Sequence, residues 1–224
     1  MKLNLYVTNL GKYVEGNLVG EWLELPCDEN EINRVLKNIN INESYEEYFI
    51  TDYEINEELE GILEVNEYSD IFEINKKLNY INKKDINTNL LGAYMRNFNV
   101  EFYKSIDCYE DKVYFTLENS NLDLNENIAY SYIKSLYGDI ESMPKELLIM
   151  YFDRDKYIED NYMEFEEFEY LTEDEIYKSM NEYIDNIGIE NILHLEYYFN
   201  FYEFGESLST SIEIDYISKI AMFY

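Results

Sequence analysis

Residues able to do chemistry are few in this chain and poorly grouped. The only histidine, His194, stands in "NILHLEYYF" (Asn191–Phe199), whose apolar pattern predicts a helix and a satisfied core imidazole rather than a general base. One histidine in that setting builds no Ser/His/Asp or Cys/His triad. "DRDKYIEDN" (Asp153–Asn161) starts like a calcium loop with Asp153 and Asp155. It then sets Tyr157 where a third oxygen ligand belongs and Ile158 where the turn glycine is needed, so the template fails. Zinc needs clustered Cys and His; Cys27 and Cys108 stand apart and read as reduced, buried thiols of a reducing compartment. The 8 glycines form no phosphate-binding loop. No catalytic, cofactor or metal residue is assigned, and the chain is not read as an enzyme. Carboxylate pairs are everywhere, too common to mark acid–base catalysis, and that abundance is itself the strongest signal.

The chain sets 48 Asp and Glu against 17 Lys and Arg in 224 residues, a net charge of −31. Hydrophobic residues make up 46% and aromatics 17%, which argues for a folded protein with a real core rather than a disordered polyanion. The charge is regional. Asn38–Asn75 holds twelve acidic residues and no basic one, and Tyr157–Ser218 holds seventeen against Lys178 alone. Between them, Lys76–Lys112 is nearly neutral, with seven basic and five acidic residues. Nucleic acid would be repelled, because DNA-binding proteins gain affinity by neutralising phosphates with Lys and Arg. A protein that grips DNA through a basic groove would instead be attracted. At one charge per ~1.7 Å of duplex axis, the net charge matches roughly 50 Å of B-DNA, so the carboxylates can stand in for phosphates. The competing class is an acidic binding module or chaperone-like inhibitor of another basic protein, which would bind basic surfaces indiscriminately. No stretch is apolar enough for a signal peptide or membrane span, so a cytoplasmic protein is expected.

The elements that would carry this surface read as α+β. Leu3–Thr8 and Leu18–Pro26 alternate as strands around a Gly-containing loop. Asp28 caps a helix to about Asn38, with Glu31 in capping-box spacing and Ile32, Val35, Leu36 and Ile39 on its apolar face. Glu46–Glu54 is a third strand, with Tyr48, Ile50 and Asp52 on one side and Phe49, Thr51 and Tyr53 on the other. Ser69 is expected to cap a helix carrying Ile71, Phe72, Ile74 and Leu78, and a further helix spans Ile86–Phe98 despite Gly92. Lys112–Leu117 is a strand.

An internal repeat follows. Glu126–Asn161 aligns with Glu173–Leu208 at a constant offset of 47 residues. Tyr130 falls on Tyr177, Ile140 on Ile187, Leu148 on Leu195, Tyr151-Phe152 on Tyr198-Phe199, and Glu159 on Glu206. Each copy reads as a helix, a loop and a short helix ending in Tyr-Phe, followed by a strand, Met163–Leu171 in the first copy and Thr210–Ile217 in the second. The copies are expected to stack side by side with their acidic faces turned the same way. The organisation is thus four pieces: an N-terminal α+β domain 1–61, a helical middle 62–111, and two C-terminal units, 112–171 and 172–224.

"YVTNLGKYVEGNLVGEWLELP" (Tyr6–Pro26), "EYFITDYE" (Glu47–Glu54), "EYSDIFEINKKLNYI" (Glu67–Ile81), Glu126–Asn161 and Tyr198–Tyr224 together resemble the ArdA family of antirestriction proteins. The resemblance implies an elongated homodimer of small α+β pieces, encoded on a mobile element. It also implies a mimic of bent B-form DNA that occupies the DNA-binding subunits of type I restriction–modification enzymes, with no membrane and no direct nucleic-acid binding. The second C-terminal copy departs from the family's usual single unit. The DNA-mimicking surface is assigned to Glu43, Glu46, Glu47, Asp52, Glu54, Glu57, Glu58, Glu60, Glu64, Glu67, Asp70 and Glu73. Its second half comprises Glu159, Asp160, Glu164, Glu166, Glu167, Glu169, Glu173, Asp174, Glu182, Asp185 and Glu206.

Overall fold

Leu3, Leu5 and Val7 point one way along β1 (Leu3–Asn9) and are fully buried, while Asn4 and Tyr6 point the other way. In the computed structural model, which describes residues 1–165 and 172–224, the α+β chain divides into two compact units, Met1–Asp111 and Lys112–Tyr224.

In the first unit, β1 is the central strand between β2 (Gly20–Leu25) and β3 (Tyr48–Ile55), both antiparallel to it. The predicted alternation of β3 breaks at a bulge. Tyr6 faces Asp52 but Val7 faces Ile50, which leaves Thr51 extra. Phe49 and Ile50 are therefore both buried despite being consecutive, and the Thr51 hydroxyl meets that of Thr8 at 2.8 Å. The stretch after β1 is not a plain loop but a short helix, α1 (Leu10–Val14), started by the fully buried Asn9. Asn9 accepts from Lys12 N through Oδ1 at 2.9 Å and donates through Nδ2 to the Ile39 and Asn40 carbonyls at 3.0 and 3.2 Å.

Helix α2 (Glu29–Asn38) is capped by Asp28 as expected, but Glu31 does not complete a capping box; it forks instead onto Arg34. Helix α3 (Ile71–Lys84) starts one residue later than Ser69 suggested, with Asp70 as its cap. The Ser69 hydroxyl is occupied elsewhere, accepting from Asn66 N and donating to the Glu64 carbonyl. Helix α4 (Thr88–Phe98) is capped by Asn87, so it too starts later than predicted. Gly92 is tolerated there for a packing reason: a Cβ would lie 2.9 Å from the Arg96 guanidinium, which reaches across to the Glu60 carbonyl at 2.8 Å. Helix α5 (Phe102–Ile106) completes the unit.

The second unit begins with β4 (Tyr114–Thr116), followed by α6 (Leu124–Leu136), α7 (Lys145–Tyr151) and α8 (Arg154–Phe165). The order then repeats as α9 (Glu173–Ile187), α10 (Leu195–Tyr198) and α11 (Phe201–Ser209), before β5 (Ile212–Asp215) and β6 (Ile220–Phe223). Each Tyr-Phe is followed by a helix that the sequence reading does not include, α8 in the first copy and α11 in the second, before the expected strand. Met163, Glu164 and Phe165 continue α8, and the rest of the strand expected there, 166–171, lies outside the described residues. The expected strand Thr210–Ile217 is β5, and the sheet runs β4-β6-β5.

The copies do not stack in translation; they interlock reciprocally. Helix α6 packs on α11 and α8 on α9, while the 3-10 turn Ile140–Ser142 meets α10 and its counterpart Ile189–Asn191 meets α7. Phe152 pairs with Phe199 in an antiparallel bridge. On either side Asp153 N donates to the Tyr198 carbonyl and Asn200 N to the Tyr151 carbonyl, both at 2.8 Å. Each of these contacts has its counterpart under exchange of the copies, as an approximate two-fold relation requires. One core results, with Ile133, Leu148 and Phe152 of the first copy against Met180, Leu195 and Phe199 of the second.

Candidate acidic interaction surface

Buried aliphatic residues hold the acidic stretch of the first unit in place. Leu59 is fully buried in a 3-10 turn whose neighbours Glu57, Glu58 and Glu60 are all exposed. Ile62 and Leu63 anchor the next residues, and the Glu67 carbonyl accepts from Ile50 N at 2.8 Å, so Glu64 and Glu67 face water from a fixed backbone. Glu43, Glu46, Glu47, Asp52, Glu54 and Asp70 are exposed as well, whereas Glu73 is half-buried and accepts from the Tyr103 hydroxyl at 2.8 Å. That hydroxyl is pushed up to about 12 by burial, with the Glu73 carboxylate adding to the effect.

In the second unit the helices do the same work. Ile176, Met180 and Ile184 recur every fourth residue on the buried face of α9 and leave Glu173, Asp174, Glu182 and Asp185 in water. Ile158 anchors α8 beneath exposed Glu159 and Asp160, and Phe204 anchors α11 beneath Glu206. Glu166, Glu167 and Glu169 lie outside the described residues, and Glu164 is described only as backbone within α8. A capping box at α9 that sequence reasoning missed joins Thr172 to Glu175. The Thr172 backbone N–H, and then its hydroxyl, hold that carboxyl below the ordinary range.

Few of these carboxylates are neutralised. Among the described residues, one member of the assigned surface, Asp185, forms an ion pair, with Arg154 at 2.6 Å. Further pairs engage acids outside the set, among them Lys2 with Glu24, Lys12 with Glu15, Arg34 with Glu21 and Glu31, Lys104 with Glu101, Lys134 with Glu118, and Lys145 with Glu190. Arg34 draws the Glu31 carboxyl down, as Lys145 does for Glu190. In the neutral middle stretch, cations sit over rings instead, Lys76 over Tyr103 and Lys77 over Phe102.

The remaining candidates resolve differently from their expectations. His194 is not in a helical core; it is exposed, in left-handed backbone at the start of α10, and the adjacent Leu193 is 82% exposed. Cys108 is exposed rather than buried, and Cys27 is half-buried, its thiol pushed up by burial and then by Glu31, Asp28 and Glu24. Asp153 immediately precedes α8 and accepts from Lys156 N at 3.0 Å, whereas Asp155 lies in the first turn and its carboxylate accepts from the Tyr177 hydroxyl. Among the described residues there is no group of three or more Cys, His, Asp or Glu arranged to hold a metal, and no helix long and apolar enough to cross a membrane.

The family model described as antirestriction protein (ArdA) matches residues 5–174, about three-quarters of the chain. The chain belongs to the ArdA antirestriction family. This is a family of inhibitors acting on restriction enzymes, not of enzymes. The matched stretch contains the whole acidic strip of the first unit and the first repeat, and it ends two residues into α9. A search of curated proteins found no match to the chain.

Proposed function

We propose that this family member acts in the cytoplasm as a mimic of B-form DNA, occupying the DNA-binding groove of type I restriction–modification enzymes. The observation that carries the reading is the largely unneutralised carboxylate surface: exposed acids on fixed backbone, of which, among the described residues, Asp185 alone is ion-paired. A groove built for phosphates gains from such a surface what it gains from DNA, charge neutralisation at close range. The homodimer implied by the family resemblance would need a surface outside the seam between the two repeats, because each copy already covers the other's apolar face. The test is competition. The chain should displace duplex DNA from a type I methyltransferase core, with a steep loss of effect as salt rises, and should not itself shift duplex DNA in a gel. Direct DNA binding, or no displacement from several such cores, overturns the reading. Displacement confined to another DNA-binding defence enzyme would keep the mimicry and change the target.

A further inference from the structure

The face of the β2-β1-β3 sheet turned away from the core carries an aromatic pair in an acidic frame. Strand register places the outward residues in rows: Glu24, Asn4 and Glu54 in one, Trp22, Tyr6 and Asp52 in the next. Trp22 is the chain's only tryptophan and is 46% exposed. Tyr6 meets it edge-on, with ring centroids 5.3 Å apart at 66°, and is itself pinned by donating its hydroxyl to the Gly20 carbonyl at 3.2 Å. The indole is therefore held in place while much of it stays in water.

We infer that this sheet face is a receptor for arginine side chains of the basic protein the chain occupies, with Trp22 as the stacking platform and Glu24 as the carboxylate that takes the guanidinium fork. The inference rests on the mimicry reading and names a contact surface within it. Glu24 follows Trp22 by two residues on the same face, so the carboxylate stands about 7 Å along the strand, within reach of a guanidinium lying over the ring. Lys2 holds Glu24 at 2.6 Å in the free protein, but both side chains are more than half exposed. Such a surface pair is worth about 0–1 kcal/mol and yields readily to a better partner. Arginine is that partner, because its plane stacks on an indole while its N–H groups fork onto a carboxylate, whereas the ammonium of lysine is a strongly hydrated point charge. Charge decides against other occupants. Glu24, Asp52 and Glu54 repel nucleic acid and acidic proteins, and an apolar helix laid here would strip water from three carboxylates without pairing them. Stacked aromatic anchors are also what concentrates binding energy at otherwise diffuse interfaces.

The experiment uses the emission of Trp22, excited at the red edge where tyrosine does not absorb, in the full chain. An oligoarginine peptide should shift or quench it saturably, and an oligolysine peptide of equal length should do so several-fold more weakly. Glu24→Gln should weaken the oligoarginine response. In DNA displacement from the methyltransferase core, Trp22→Ala should be about tenfold less effective, with Trp22→Phe between it and the native chain. Circular dichroism should be unchanged for each variant, since the position is on the surface. If the native chain displaces DNA while Trp22→Ala does so equally well and the emission stays constant, the arginine receptor is refuted and the mimicry stands. If oligoarginine saturates the Trp22 signal but the chain displaces no DNA, the receptor stands and the mimicry falls. Equal responses to the two peptides refute the stacking and leave charge attraction alone.

Discussion

Gly205→Ala probes the closest approach in the second unit. In an exposed helix the change would stabilise by about 1 kcal/mol through helix propensity. At Gly205 an added Cβ would lie 1.8 Å from the Asn125 carbonyl oxygen, 2.5 Å from its carbon and 3.0 Å from its Cα, all backbone atoms of α6 that no rotamer change can move. Restoring an ordinary 3.4 Å contact requires α11 to retreat from α6 by about 1.6 Å at this point. A gap of even ~0.5–1 Å forfeits a quarter to a half of the dispersion energy of the atoms it separates. Overpacking of this kind costs about 1–3 kcal/mol and sometimes more. The seam joins the first copy to the second, so the upper end applies, and a net loss near 2 kcal/mol is expected after the propensity gain. For a unit of this size that lowers its thermal midpoint by roughly 8 °C. Scanning calorimetry should show the transition of Lys112–Tyr224 falling while that of Met1–Asp111 stays in place. The next residue supplies the control: Glu206→Ala, on the exposed side of α11, should change stability by less than about 0.5 kcal/mol. If Gly205→Ala is as stable as the native chain, α6 and α11 do not meet at this distance and the reciprocal packing is wrong.

Asn9→Ala removes a helix cap and two donors to buried carbonyls, and should cost about 2–4 kcal/mol in urea unfolding followed by Trp22 fluorescence; a loss below about 1 kcal/mol would show that the Asn9 network contributes little. Tyr132 is pushed up to about 12 by burial and by its bond with Tyr137. The folded state therefore keeps this proton when the unfolded chain loses it, and the stabilisation is present below pH 10 and lost between 10 and 12. Tyr132→Phe should flatten the fall of stability over that range, and an unchanged slope would show that Tyr132 does not carry it. Reversing Glu57, Glu58 and Glu60 to Lys one after another should weaken DNA displacement in steps, each small; a single reversal that abolishes it with the fold intact would point to a localised hot spot instead.

Much of this architecture is legible in the residues. Alternation in Leu3–Thr8 and Leu18–Pro26 marks the two strands and, read for its outer face, also brings Tyr6, Trp22 and Glu24 together. The repeat at 47 residues is visible because its anchors, Leu148 and Leu195 or Phe152 and Phe199, fill equivalent positions in one core. How the copies meet is not visible, since an apolar stripe states that a partner is needed and not from which side it comes. The Tyr-Phe segments read as the approach to a strand because aromatic β-formers dominate them, but packing on α6 and α9 overrides propensity and makes α8 and α11 helical. The bulge at Thr51 brings its hydroxyl to Thr8, far away in sequence, and the α3 cap shifts from Ser69 to Asp70 because the Ser69 hydroxyl is taken up by Asn66 N and the Glu64 carbonyl. His194 was placed in a core by its apolar neighbours, whereas the turn before α10 requires left-handed backbone and turns it to water.

The interlocked repeat also fixes when the second unit can form during synthesis. Helix α6 finds its main neighbour in α11, and β4 must wait for β6 (Ile220–Phe223). Of the helix pairs that join one copy to the other, α8–α9 is close in sequence while α6–α11 is not. The first unit is a compact unit that ends at Asp111 and can fold as soon as that residue clears the ribosome, since domains fold as units in order of emergence. The second has no such intermediate stopping point: its first helix lacks its main partner, α11, until translation of the second copy is nearly done. A ribosome that stalls between Thr172 and Phe201 would hold a finished N-terminal sheet attached to an open apolar stripe, which is what chaperones and proteases recognise. The two copies are therefore delivered together or not at all.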